Sequence, residues 1–324
     1  MTRAHAARLP ATCAAVLSAL AIAPAQRMPV PDDDGGRMVQ LVDVRPLLLH
    51  DGPGLRMKGA PPPRLPGLAE FLGAFAEPKP GAGDAIEVLG GSHVCVLGPP
   101  ALCDWVARTV AEATRRREAN ELFDFEIRML RLGDDTYKAV LAPFFAAAPA
   151  QPDAEHPYCI VVQDQLGALL LELKNATGVE MLQAPRLLTA QLNRCSLQTG
   201  DFVDYVRDFA VRRNGAAAIA DPIVDRAFDG IRAEVRAVSL ADDRIAVECA
   251  FEHAQVQRPL PTSELDLGLQ QKVTIQLPRM RTVAIEQRAV LPDGHAVVAA
   301  SQCEDGEWFA TILRVQRRLP DQPR

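Results

Sequence analysis

The chain has 324 residues, enough for roughly two domains of ~100–200 residues, each able to bury its own core. Its formal net charge of -6 excludes a general attraction to nucleic acid or to anionic lipid. Past the N-terminus no run approaches the ~20 apolar residues of a membrane helix, so entry into a membrane would require a closed β-barrel shared among subunits.

Arg3 and Arg8 precede an apolar stretch from Leu9 to Ala23, and Ala23-Pro24-Ala25 stands ahead of Gln26. This charged, apolar, small-residue order predicts a secretory signal peptide over 1–25. Residues 26–37, rich in Pro, Asp and Gly, read as a mobile leader. Met38 to Leu49 is a strand candidate, followed by a Gly/Pro-rich loop from His50 to Pro66. Leu68, Phe71, Leu72 and Phe75 then fall at the spacing of one buried helix face. Ile86 to Leu97, with Gly90-Gly91 inside it, predicts a β-hairpin. Pro99-Pro100 opens a helix whose Leu102, Trp105, Val106, Val110 and Ala113 share a face, with Arg115 to Arg117 at its C-terminal end, where positive charge suits the dipole. Phe123, Phe125, Ile127 and Met129 alternate with Asp124, Glu126 and Arg128, which predicts a strand with one packed face and one meeting water or a neighbouring chain.

Residues 143–157, rich in Pro and Ala, read as a linker. Tyr158 to Val162 is a short strand, and Leu166, Leu169, Leu170 and Leu173 mark an amphipathic helix ended by Asn175 to Gly178. From Val179 the pattern is mostly β: an apolar run, a Pro185-Arg186 step, a strand bearing Thr189, and an alternating strand stopped by Gly200. Ile231 to Ala237 alternates with Arg232, Glu234 and Arg236, and Ile245 to Phe251 with Glu248. Further strands are expected at 273–277, 283–290, 296–300 and 308–315, with a Pro292-Asp293-Gly294 hairpin turn between the second and third.

Catalytic chemistry finds little footing. His50, His93, His156, His253 and His295 lie in neither H-E-x-x-H spacing nor beside a Gly-x-Ser-x-Gly elbow, so no catalytic, cofactor or metal residues are expected. His156 near Cys159 reads as structural, Asp242-Asp243 as a solvated turn, and Asp32-Asp33-Asp34 as part of the leader, because neither acidic run has the spaced oxygens of a calcium loop. Cys95, Cys103, Cys159, Cys195, Cys249 and Cys303 form no C-x-x-C pair. Buried thiols are the expectation, since Cys249 sits on an apolar strand face.

Taken in order, these pieces resemble the bacterial secretin family, in a divergent or truncated, planctomycete-type form. Val94 to Cys103 with its following helix is similar to the strand-turn-helix of secretin periplasmic ring domains. Val179 to Gly200, Tyr205 to Phe209, Ala220 to Asp225, Asp229 to Arg236, Val273 to Pro278 and Leu291 to Val298 are similar to the secretin core in family order. Two departures stand out: Ala299-Ala300-Ser301 replaces the usual Gly-Gly-Leu, and Phe202 to Gly230, the place of membrane-inserting hairpins, carries many Asp and Arg and no clean lipid-facing side.

The resemblance implies an α+β fold: a small α/β ring-type module (38–142), a linker (143–157), a β-rich secretin-like core (158–317) and a tail (318–324). It implies an exported, non-catalytic protein of the periplasm or outer membrane, part of a type II/III-like secretion or pilus channel, whose partners are further copies of itself and other secretion proteins. Two other readings stay open: a secretin-fold periplasmic scaffold that forms no pore, and an exported enzyme on an α/β scaffold. The assembly candidates are Pro185 and Arg186, where Pro ends strand pairing and Arg can reach the next subunit, and Asp293 and Gly294, which supply a tight turn and register. The charged faces Asp124/Glu126/Arg128 and Arg232/Glu234/Arg236 are subunit contacts or solvated.

Overall fold

The computed structural model describes residues 27–29, 36–47, 65–148, 157–214, 217–266 and 272–319. The signal-peptide segment, Asp32 to Asp34, His50, His156 and residues 149–156 of the expected linker lie outside them.

The N-terminal part is an antiparallel sheet in the order β1 (Arg27–Pro29), β2 (Met38–Asp43), β4 (His93–Gly98), β3 (Ala85–Leu89). The expected leader therefore contributes a strand. Arg27 donates through Nε to Gln40 at 3.0 Å and pairs with Asp104, while Met28 packs on the cluster of Val39, Leu41, Cys95 and Leu97. β2 stops at Asp43, short of the expected Leu49, because Asp43 accepts the Arg45 backbone N–H at 2.9 Å and bends the chain. Helix α1 (Leu68–Phe75) buries all four expected apolar residues, and α2 (Pro100–Glu118) starts with Pro in its first turn. Both helices cover one face of this sheet through Phe71, Leu72, Val94, Val96, Leu102 and Val106.

The rest is built on two stacked antiparallel sheets. One is four-stranded, β14 (Met280–Leu291), β11 (Ile245–Val256), β10 (Ala217–Ser239), β9 (Cys195–Asn214). The other is six-stranded, β6 (Tyr158–Val161), β15 (Ala296–Gln302), β16 (Trp308–Arg318), β5 (Leu122–Leu132), with β7 (Val179–Gln183) and β8 (Arg186–Ala190) both on the far side of β5. Alternate residues of both sheets, among them Phe123, Phe125, Ile127, Val235, Val247, Phe251, Phe309 and Leu313, interdigitate as the main core. Each fully buried Phe contributes about 1.5–3 kcal/mol.

Three expectations change here. First, β5, read as part of the N-terminal module, is a central strand of the six-stranded sheet. Its second face is not simply wet: Leu130 and Leu132 pack beneath the helix α5 (Gln163–Asn175) through Leu166, Leu169 and Leu173, and Asp124 is only 4% exposed. Between these elements α3 (Asp134–Thr136), a π-helical turn (Tyr137–Leu141) and α4 (Ala142–Ala147) run on continuously, so the start of the expected linker is helical. Tyr137 stacks on Trp308 at 3.5 Å between ring centres.

Second, Gly200 does not stop a strand. β9 continues to Asn214 and returns as β10, a single long hairpin in which Gly200 and Gly230 face each other. Beyond this rung the hairpin leaves the core as an arm. Its charges are matched across the strands, Arg226 with Asp204 at 2.8 Å, Arg207 with Asp225 at 3.1 Å and Arg212 with Asp221 at 3.6 Å. A bulge between Ile223 and Val224 is capped from the side: the Val206 N–H donates to Gln276 at 2.9 Å. Gln276 belongs to the short hairpin of β12 (Thr262–Asp266) and β13 (Lys272–Gln276).

Third, the charged face of β10 and β11 is an intramolecular contact. The N-terminal module lies on it. Arg236 donates to the Pro66 carbonyl at 3.0 Å and sits 5.4 Å from the Phe71 ring centre; the Leu65 N–H donates to Glu234 at 3.1 Å; Arg288 reaches Glu70 at 3.6 Å. Glu248 and Glu252 are both buried here, Glu252 taking Arg232 at 3.1 Å and Glu248 taking Arg288 at 2.8 Å.

Burial holds the Glu248 carboxyl above its ordinary value of 4.5, against the opposing pull of Arg288 and Arg236. A raised folded-state value means that protonation favours the fold. The contribution is fully present below the unfolded value near 4.5 and is lost as pH rises through the higher folded value. The wild type minus Glu248→Gln stability difference should therefore favour the wild type more at pH 5 than at pH 7, read by urea denaturation. A difference that does not change with pH would refute this account of Glu248.

Candidate functional site

The residues singled out for assembly fall at two places that one strand connects. At the first, the chain breaks from β7 to β8 at Ala184-Pro185. The Pro185 carbonyl still accepts the Ile127 N–H at 3.0 Å, which keeps the step bound to β5 although Pro offers no donor. Arg186 does not hang free for a neighbour. Its Nε donates to Asp124 at 2.6 Å, and Arg318 approaches the same carboxylate at 3.6 Å.

At the second, β14 and β15 do not form the expected hairpin; they belong to different sheets. The Pro292-Asp293-Gly294 segment is a corner that carries the chain from one layer to the other. Gly294 takes φ +77°, a left-handed conformation that glycine adopts freely, and its N–H donates to Val315 at 2.9 Å. The Asp293 carboxylate accepts the Arg317 backbone N–H at 2.7 Å and faces its guanidinium at 3.4 Å. The corner is thus tied to β16 and not to the strand before it.

Arg317 and Arg318 are consecutive on β16, so Asp293 and Asp124 are held at one end of the six-stranded sheet. Arg317 also takes Asp243 at 2.9 Å, and Asp243 takes Arg116 of α2 at 2.8 Å. The Asp242-Asp243 turn is solvated as expected, Asp243 being 75% exposed, and its carboxylate in addition faces the N-terminal helix and the six-stranded sheet. Sequence reading named Asp124 as part of a charged face, solvated or at a subunit contact, and missed its pairing with Arg186 and Arg318, as it missed Arg317, Arg116 and this role of Asp243.

What the arrangement offers chemically is edges. Among the described residues β9, of 20 residues, and β14, of 12 residues, each have one ladder partner and close opposite sides of the four-stranded sheet, with the β12–β13 hairpin meeting β9 at Val206. β6 closes one side of the other sheet, and β7 with β8 the other. β14 leads directly into β15 next to β6, and β8 leads into β9. One flank of the stack therefore presents β14 and β6, and the opposite flank β9 with β7 and β8. Among the described residues no group of three or more His, Cys, Asp or Glu is placed to hold a metal ion, and all six cysteines are free thiols, Cys95, Cys103, Cys159 and Cys249 buried. His253 is held below its ordinary value by burial and by Arg131.

No protein-family model matches the chain, and no curated protein matches it. Among solved structures it is similar to the secretin-domain β-barrel of InvG from the Salmonella SPI-1 injectisome, at 11% identity over 94% of this chain and 86% of that one, with a TM-score of 0.27. It is similar also to PilQ, the V. cholerae type IV competence pilus secretin, at 9% identity over 96% of this chain and 81% of that one, with a TM-score of 0.25. PulD in the Klebsiella pneumoniae type II secretion outer membrane complex is a third, at 11% identity over 83% of this chain and 52% of that one, with a TM-score of 0.27. At these scores no residue of the chain is placed on a residue of theirs.

Proposed function

We propose that the chain is an exported, secretin-like subunit of a homo-oligomeric ring, serving a secretion or pilus assembly by passage and without chemistry of its own. The observation that carries this reading is the pair of unlike flanks. Long free strand edges template pairing with any other chain unless they are covered. Here the two flanks differ, so copies join head to tail, and a head-to-tail contact whose rotation closes gives a ring. The family-ordered sequence segments supply the secretin part of the reading, and with it further secretion proteins as partners.

A second reading is favoured by the arm. Arg226 with Asp204 occupies one face of the β9–β10 hairpin, and Arg207 with Asp225 the other. Charge facing lipid costs ~2–4 kcal/mol near the bilayer midplane. In this reading the ring is a periplasmic scaffold that crosses no membrane. Native extracts divided into membrane and soluble fractions and sized in mild detergent separate the two. A large ring in the membrane fraction supports a channel subunit, and the same ring in the soluble fraction supports the scaffold. Monomers or dimers in both fractions would refute the ring itself.

A further inference from the structure

The sandwich is clipped at both ends by ion pairs between its sheets, and the two ends differ in chemistry. At one end Arg317 of β16 takes Asp243 of the β10–β11 turn at 2.9 Å. At the other, where the arm leaves, Arg281 of β14 takes Asp305 of the β15–β16 turn at 3.3 Å. Asp305 is shared there with Arg131 of β5 at 2.8 Å, and Arg131 also pairs with Glu307. A cavity of about 30 Å³, room for about one water, opens between the sheets at this second end. His253, Gln255 and Arg281 line it from the four-stranded sheet, and Arg131, Cys303 and Asp305 from the other.

His253 continues the inward face of β11 after Cys249 and Phe251, so its ring lies where the apolar core gives way to charge. It meets Phe309 of the opposite sheet at 6.0 Å between ring centres. The charged groups that face it are Arg131 on β5, Glu180 on β7 and Asp229 on β10, with Arg281, Glu304 and Asp305 around the cavity. Asp229 is engaged with Arg258 at 3.1 Å, and Asp305 with two arginines. Among the described residues no carboxylate stands within ion-pair distance of the ring. An imidazolium here is therefore a third cation beside Arg131 and Arg281, with no carboxylate of its own. His295, near the other end, lies at the surface with a ring nitrogen 3.2 Å from the Asp293 carbonyl oxygen, so a proton there has an acceptor.

We propose that the arm end of the sandwich is an acid-operated hinge: a proton on His253 parts the Arg281–Asp305 clip and lets water in between the sheets, while the Asp243 end stays shut. Parting the sheets hydrates the imidazolium and takes Arg281 away from it. Burial, and after it Arg131, hold the ring below its ordinary value of 6.5. The closed mouth keeps this contribution above pH 6.5 and loses it as pH falls through 6.5 toward the lower folded value. Because β9 and β10 leave the core at the Gly200–Gly230 rung, opening also loosens the root of the arm.

Cys303 reports the opening, because it lines the cavity and is only partly exposed. In the full chain with Cys13→Ser and Cys195→Ser it is the one thiol among the described residues that is not buried. Its reaction with 4,4′-dithiodipyridine is timed at pH 7.5 and 5.5 in that background, and in the same background with His253→Gln. Dividing the first rate by the second at each pH cancels the thiol's own titration. The quotient should rise at least about threefold on acidification. Arg281→Gln, which removes the clip at any pH, should speed the reaction by a similar factor already at pH 7.5. Amide protection, corrected for intrinsic exchange, should fall with acid over 253–256 and 280–284 and hold over 243–247 and 315–317. A quotient that does not change with pH would overturn the proposal, as would an Arg281→Gln chain no faster than its parent at pH 7.5. Equal loss of protection at both ends would overturn it too, and that reading needs only the wild type, so it stands even if a variant fails to fold. None of these outcomes bears on whether the chain forms rings.

Discussion

Arg236→Ala is expected to cost the fold about 3–5 kcal/mol, the range for breaking a buried ion pair by removing one partner. Arg236 is only 2% exposed and is the largest fully buried side chain among the described residues. Its loss removes the donor to the Pro66 carbonyl and the cation over Phe71, and takes from Glu248 one of the two arginines that offset its burial. A cavity is left between α1 and β10. Arg236→Met keeps much of the volume and should lose less. The measurement is guanidinium denaturation of both variants against wild type, with amide exchange of α1 as a local reading. If Arg236→Ala loses under about 1 kcal/mol, within the range of an exposed ion pair, the docking of the N-terminal module does not depend on this residue.

Gly230→Ala should rank next, at about 3 kcal/mol, the upper end of what overpacking or backbone strain costs. A Cβ on Gly230 would meet the Thr199 carbonyl oxygen at 2.3 Å and Gly200 Cα at 2.6 Å, and φ there is +158°. These obstacles are backbone, so the two strands must part at that rung. Gly306→Ala is the control: φ is +84°, but nothing lies within 4 Å of the added carbon. It should lose only ~1–2 kcal/mol from the left-handed backbone. Denaturation midpoints of the two variants decide the matter, and faster amide exchange throughout 201–229 in Gly230→Ala alone would locate the damage in the arm. Equal losses at the two glycines would mean that the close approach at the Gly200–Gly230 rung carries no special weight.

Patterns that repeat within a few residues were legible in the sequence. The helix face of Leu68, Phe71, Leu72 and Phe75 and the strand face of Phe123 to Met129 are buried as their periods predict, because such periods are local properties of the chain. Pairing over long distances was not. Arg232, Glu234 and Arg236 looked solvated or intermolecular because charge usually lies outside, yet Arg236 is met by a carbonyl 170 positions earlier. Gly200 looked like a terminator because glycine weakens strands; only its facing glycine explains it. The Pro185-Arg186 step was readable as a break between strands, whereas Asp124, 62 positions away, carries no local mark as its partner. The Pro-Asp-Gly segment was readable as a turn, but its bonds to β16 decide that it turns between sheets.

The position of β5 sets the order in which this molecule can be completed. It is made early, yet one whole side of it is paired by β16, which contains the last described strand residues. During synthesis every segment from β6 to β15 must emerge before that side is satisfied. Closing so long a loop is slow relative to local pairing, and an unpaired hydrophobic edge is exposed to other chains meanwhile. A nascent chain is therefore most vulnerable while β16 is missing, and a product cut before Trp308 would leave β5 and β15 each without its shared neighbour.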